Sequence, residues 1–318
     1  FSGLMRRFLL LSFSIALAHS VSTFPCSKRE FPVHGAFHTV CVCNSTYCDE
    51  PEAVGDLDAG QVVVYTTTED GRRFERSTAE FGIGNNNKTA IRIKIDARIR
   101  LQEIIGFGGA FTDATGINLA KLSEPTQARF VEAYFGKGGA RYSLGRVPMA
   151  STDFSLIDYS YDDVDGDTDL AHFQLNEADT KYKIPLILRA LNSTEGHLRL
   201  FSSPWSAPGW MKETGRMRGP GPLKASLKAA WARYFVKFFE AYRDEGVDFW
   251  ATTVQNEPTS GALPTYSWQT MFWNSTGQRD FIVTHLGPAL SSSPASKNVK
   301  IIALDDNRLF APFWANTV

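Results

Sequence analysis

Residues 224–258 read KASLKAAWARYFVKFFEAYRDEGVDFWATTVQNEP and divide into two patterns. In the first, Leu227, Trp231, Tyr234, Phe235, Phe238, Phe239 and Tyr242 recur at spacings of three and four. That is the apolar stripe of one helix face, and it predicts a helix over 224–245 with Gly246 ending it. In the second, residues 249–254 are almost continuously apolar, as a strand buried on both faces must be. A helix feeding such a strand is the repeating unit of parallel α/β proteins.

The same alternation extends both ways. Further near-continuous runs at 104–110, 142–148, 198–203 and 299–304 are separated by helical stretches. No dinucleotide fingerprint accompanies them, because GFGG at 106–109 lacks the third glycine of G-x-G-x-x-G. Repeated units without that fingerprint predict an α/β fold of the (β/α)8 TIM-barrel type, here about five of the eight strands. Upstream, residues 62–68 and 89–95 read as extended. AIRIKI at 90–95 places isoleucines on one face and charges on the other. These strands cannot make a sandwich alone, and nothing within residues 51–100 supplies the second sheet or segment needed to cover their apolar face. The expected organisation is a leader and signal peptide at 1–20, a small β module at 21–50, incomplete sandwich strands at 51–99 and barrel at 100–318.

With 33 Lys+Arg against 34 Asp+Glu and 43% hydrophobic residues, the chain has the balance of a folded globular protein and offers no basic stripe for nucleic acid. Arg6 and Arg7 precede an apolar run at 8–17 and Ala16-Leu17-Ala18, the three parts of a signal peptide cleaved after Ala18 or Ser20. That run is too short to span a bilayer, so no transmembrane segment is expected after cleavage. All four cysteines, Cys26, Cys41, Cys43 and Cys48, fall between residues 26 and 48, which fits two disulfides stapling a small module made in an oxidising compartment. His34 and His38 lie four apart, the one spacing here that a zinc site would use, but two disulfides account for the cysteines better, and no metal or cofactor is expected. Asn44, Asn87, Asn192 and Asn274 head N-x-[ST] triplets and are candidate glycan acceptors.

Chemistry concentrates where the strands end, on the face where barrels gather their catalytic groups. Glu257 follows one strand directly in VQNEP and is the leading acid/base candidate, with Asn256 beside it suited to a sugar hydroxyl. A turn in which Pro258 merely stops the strand is the plain alternative. Asp153, after the 142–148 strand, has two oxygens for two hydroxyls or serves as a helix cap, and Arg146 pairs with a carboxylate in the barrel mouth or elsewhere. SSPWSAPGW at 202–210 offers Trp205 and Trp210 as flat faces for sugar C–H groups, against which stands ordinary core packing. LDDNR at 304–308 supplies a polar wall or a loop salt bridge. Neither H-E-x-x-H nor G-x-S-x-G occurs.

CVCNSTYCD at 41–49, GFGGAFTD at 106–113, RVPMAS at 146–151 and WARYFVKF at 231–238 together closely resemble the lysosomal acid β-glucosidases, the glucosylceramidases of glycoside hydrolase family 30. The resemblance implies retaining hydrolysis of the β-glucosidic bond of glucosylceramide. It implies Glu257 as general acid/base, Asn256 on the sugar 2-hydroxyl, Asp153 and Trp205 on the glucose, Tyr266 and Trp268 at the entrance, and Arg146 supporting the carboxylate pair. It also implies disulfides Cys26–Cys41 and Cys43–Cys48, a saposin-type activator, an anionic lipid surface and the lysosomal lumen, with the extracellular space as the alternative. In that family a second glutamate is the nucleophile, and no glutamate follows Glu257 in this sequence. Retaining chemistry needs two carboxyl groups about 5 Å apart. The 318 residues alone are therefore expected to be inactive by that route. Competing readings are a short non-catalytic form that binds glycosphingolipid and a sister β-glycosidase with another sugar preference.

Overall fold

The computed structural model describes residues 28–33, 36–48, 52–68, 72, 74–82, 91 and 93–318. They belong to two compact units, Phe1–Val42 and Cys43–Val318. In the first, β1 (Lys28–Val33) and β2 (Ala36–Cys41) form an antiparallel hairpin with Lys28 opposite Cys41. Cys41 is disulfide-bonded. Its expected partner Cys26, the expected signal peptide and the Asn87 triplet lie outside the described residues.

The second unit opens with the Cys43–Cys48 disulfide. Inside its loop, Asn44 Oδ1 accepts from the Thr46 and Tyr47 amides at 2.8 and 2.9 Å. Two carbonyls of the loop, Thr46 at 3.1 Å and Ser45 at 3.4 Å, accept from the Arg129 guanidinium. β3 (Gln61–Thr66) pairs antiparallel with β4 (Glu75–Glu80). β4 has the largely exposed sequence ERSTAE, which carries no apolar alternation to announce it. The strand expected over 89–95 is not formed at its described residues 91 and 93–95. Ile91, Ile93 and Ile95 are 91, 82 and 87% exposed. Alternation makes a strand only where a second surface covers its apolar face, and among the described residues none does.

The body of this unit is one parallel sheet in chain order: β5 (Gly108–Ala110), β6 (Leu144–Met149), β7 (Arg199–Pro204), β8 (Ala251–Thr253) and β9 (Lys300–Ile302). Helices α1 (Asp113–Ala120) and α2 (Glu124–Phe135) join β5 to β6, and α3 (Ile184–Ser193) joins β6 to β7. α4 (Lys228–Asp244) joins β7 to β8; α5 (Ser275–Phe281) and α6 (Gly287–Ser291) lead to β9, and α7 (Ala311–Ala315) follows it. Parallel neighbours in sequence order with helical crossovers are the arrangement of a (β/α) barrel, here five strands of it. The predicted helix over 224–245 opens with a 3-10 turn, Ala225–Leu227, and Gly246 takes φ +83° just past its end. Trp231, Tyr234, Phe235, Phe238 and Tyr242 on α4 are fully buried, each stabilising the fold by about 1.5–3 kcal/mol. Phe238 packs against Tyr161 at 6.0 Å and Phe249 at 5.2 Å.

Beneath the C-terminal end of β6 lies a buried ionic cluster. The Lys183 ammonium is 2.7 Å from Asp179 and 3.3 Å from Asp113, and it donates to the Pro148 carbonyl at 3.3 Å. Tyr161 and Tyr242 donate to Asp179 at 2.7 and 2.6 Å, and the Tyr161 hydroxyl accepts the Ala150 amide. Burial pushes both phenols well above their ordinary range, so they stay protonated donors. Every member has a partner, as buried charge requires, and the loop after β6 is anchored from below.

Candidate active site

Four residues without a glycine's freedom take left-handed backbone conformations where strands end: Ala150 after β6, Glu257 after β8, and Leu304 and Asp305 after β9, with φ of +66, +41, +77 and +57°. Such conformations cost on the order of 1–3 kcal/mol each and persist only where the surroundings over-determine them. Around Glu257 they do. Its amide donates to the Asp305 carbonyl at 2.9 Å, and its own carbonyl accepts from Ser260 at 2.9 Å. The Thr259 amide and hydroxyl both bond Asp306 Oδ2, at 3.0 and 2.6 Å. The turn carrying Glu257 is thereby bolted to the end of β9.

The Glu257 side chain is exposed. Its Oε2 accepts from the Tyr266 hydroxyl and from Ser260 Oγ, each at 3.1 Å. Burial first, and then the Glu257 and Asp153 carboxylates, push the Tyr266 hydroxyl up to about 12, so it stays a protonated donor at acidic and neutral pH. Asp153 is exposed and acts on Tyr266 through its field.

Behind this pair, Arg146 Nη2 lies 2.7 Å from Asp305 Oδ2, 2.8 Å from Asn256 Oδ1 and 3.0 Å from Ser203 Oγ. Asp305 Oδ2 also accepts from Ser203 Oγ and Thr253 Oγ1, both at 2.8 Å. One carboxylate oxygen therefore collects donors from β6, β7 and β8. The Arg146 guanidinium sits 4.5 Å over the Trp205 ring, within cation–π range, so one face of that indole is already covered. The Asn256 amide donates to the Pro204 carbonyl at 2.8 Å.

Of the residues singled out from the sequence, the structure brings together Arg146, Trp205, Asn256, Glu257 and Tyr266, with Asp153 near Tyr266. Trp268 is 46% exposed two residues beyond Tyr266, its carbonyl held by the Gly219 amide at 2.9 Å. Trp210 is a core residue, buried with its indole N–H on the Asp162 carbonyl at 2.9 Å, and offers no open face. Asp153 caps no helix; the N-cap of α1 is Thr112. The carboxylate that Arg146 meets is Asp305, whose place at the centre the sequence signals only by its position after a strand. Ser260, Ser203 and Thr253 carry no signal at all.

Residues 104–318 match the Glycosyl hydrolase family 30 TIM-barrel domain. The chain belongs to glycosyl hydrolase family 30. Within the family it is 46% identical over 314 residues to a Caenorhabditis elegans protein provisionally named glucosylceramidase 3, covering 97% of this chain and 59% of that protein. It is 42% identical over 307 residues to the lysosomal acid glucosylceramidase of Mus musculus, covering 95% and 58%. The chain thus spans less than two thirds of the length of these curated relatives. The endo-1,6-beta-D-glucanase BGN16.3 of Trichoderma harzianum is 34% identical over 218 residues, covering 65% and 44%. Among solved structures, SrfJ of Salmonella typhimurium superposes with a TM-score of 0.69 at 28% identity, covering 80% of this chain and 55% of that one. The endo-beta1,6-glucanase BT3312 gives a TM-score of 0.67 at 29% identity, covering 80% and 54%.

Proposed function

We propose that the whole protein is a retaining β-glucosidase acting on glucosylceramide, and that these 318 residues bring its acid/base half. The observation that carries this reading is Glu257, held at a barrel strand end in a left-handed turn with both neighbouring donors on one oxygen. Tyr266 and Ser260 occupy Oε2, so Oε1 is the atom that gives its proton to the departing glycosidic oxygen and later takes one from water. Asn256, oriented by Arg146, takes the 2-hydroxyl as charge develops at the anomeric carbon; Asp153 and Trp205, a largely buried indole with Arg146 over one face, contact the glucose; Tyr266 and Trp268 line the way in. The second carboxylate, the nucleophile, comes from outside these 318 residues, in which no glutamate follows Glu257. Secretory processing belongs to the same reading: a lysosomal destination, glycans at Asn44, Asn192 and Asn274, and work at an anionic lipid surface with a saposin-type activator. Among the described residues no helix is long and apolar enough to cross a membrane.

A second reading has its own support. Relatives named as endo-1,6-beta-D-glucanases are 34 and 32% identical over 218 and 228 residues, so a β-1,6-linked glucan is the competing substrate. The deciding experiment reads the transcript past the codon for Val318 and assays the whole product on glucosylceramide and β-1,6-glucan. Glucosylceramide turnover that falls about 10²–10⁴-fold in Glu257→Gln, with much less loss on a dinitrophenyl glucoside whose leaving group needs no acid, is the expected result. Turnover of the glucan alone selects the second reading, and turnover of neither sinks both.

A further inference from the structure

Backbone pairing between β7 and β8 covers two rungs, Phe201 opposite Ala251 and Ser202 opposite Thr252. Side chains then carry the same register onward. Thr253 Oγ1 meets Ser203 Oγ at 2.6 Å, and Gln255 Nε2 donates to the Trp205 carbonyl at 2.6 Å. Gln255 is fully buried, and the same Nε2 donates to the Asn256 carbonyl at 3.0 Å. Its Oε1 is buried with no partner. The amide orientation follows from chemistry: flipped, it would set an oxygen against two carbonyl oxygens. Position 255 is thus used purely as a donor, spent on the backbones of the two residues assigned above to the sugar.

We infer that Gln255 is a positioning residue of the sugar site, fixing Trp205 and Asn256 through a neutral contact that only a donor can make. The inference rests on the reading of Trp205 and Asn256 as glucose contacts. It acts beyond the two paired rungs of the β7–β8 ladder, where the one backbone bond between the strand ends is that from the Asn256 amide to the Pro204 carbonyl at 2.8 Å. A carboxylate has acceptors only, and a carboxylic acid has one O–H. Gln255→Glu therefore keeps one of the two carbonyl contacts while protonated and loses it on ionisation. Burial against two carbonyls favours the neutral acid, so the contact is present at low pH and lost as pH rises, whereas the native amide does not titrate.

The test measures binding of a glucose-configured iminosugar to the whole gene product by calorimetry at pH 4.0 and 7.5, with each variant compared with wild type at the same pH. That ratio cancels the titration of the probe. Gln255→Glu is expected to bind within about threefold of wild type at pH 4.0 and at least about tenfold more weakly at pH 7.5, the loss that goes with stranding buried carbonyls. Gln255→Met, similar in shape but with no donor, is expected to be weakened by the same factor at both values. Three results overturn the inference: a pH-independent ratio for Gln255→Glu, a Gln255→Met that matches wild type, or a Gln255→Glu that fails to fold even at pH 4.0. A melting temperature that falls with pH while affinity holds would reduce Gln255 to a structural part. A wild type that binds no iminosugar removes the sugar reading itself, and the inference with it.

Discussion

The carboxylate of Asp305 takes its donors from three strands far apart in sequence, Arg146 on β6, Ser203 on β7 and Thr253 beside it on β8. Replacing it by asparagine keeps an oxygen for the two hydroxyls and removes the charge facing Arg146, whose pair with Asp305 is about four-fifths buried. Asp305→Asn is expected to cost about 2 kcal/mol in urea unfolding, and to weaken iminosugar binding because Arg146 no longer fixes Asn256. A second residue sets a pH dependence. Burial pushes the Asp162 carboxyl up to about 6, with the Asp167 charge adding to the effect and the Val164 amide and His172 opposing it. The folded chain keeps this proton between pH 3.8 and 6, where the unfolded chain has released it. Stability therefore falls as pH rises through that window, by at most about 3 kcal/mol, and levels off above it. Asp162→Asn is expected to flatten that part of the melting-temperature profile; an unchanged slope would place the titration elsewhere. Glu257, Asn256 and Arg146 were legible in the sequence because each sits within a few residues of an apolar run. Asp305 was only half legible, since what makes it central is a convergence of hydroxyls that no local pattern marks.

At the level of elements, β6 to β9 were readable because each lies within or beside a mostly apolar run, even though the paired residues themselves include Arg146, Ser202, Ser203, Thr252 and Thr253, and α4 because its aromatic stripe repeats at helical spacing. β5 is shorter than its apolar run. Ile104, Ile105 and Phe107 are more than half exposed, and ordered pairing in that run is confined to Gly108–Ala110. Glycine is required there: a Cβ on Gly108 would stand 1.7 Å from the Leu144 carbonyl oxygen, inside the backbone of β6. Gly108→Ala is expected to pull β5 off the sheet, seen as fast amide exchange over 107–111 while β6 to β8 stay protected. β4 escaped detection because an exposed polar strand is specified by its partner rather than by its own residues.

Among the described residues of the second unit, β5 and β9 each pair on one side only, and apolar side chains from Ile91 to Phe107 stand largely in solvent. Unpaired edges and apolar patches of this kind recruit other chains. The 318-residue polypeptide produced alone is expected to bind anilinonaphthalene sulfonate strongly and to elute as aggregates in size exclusion, both abolished when the whole gene product is made. A monodisperse, dye-silent preparation would contradict this. The Cys43–Cys48 loop adds a consequence of a different kind. Its carbonyls are gripped by Arg129 of α2, and the same helix carries Phe130 and Phe135 into the barrel's core. A broken sulfur–sulfur bond would slacken that grip, so the redox history of a preparation is written into a helix far along the chain. Bacterial cytoplasm and insect-cell medium would yield material of one sequence and two behaviours.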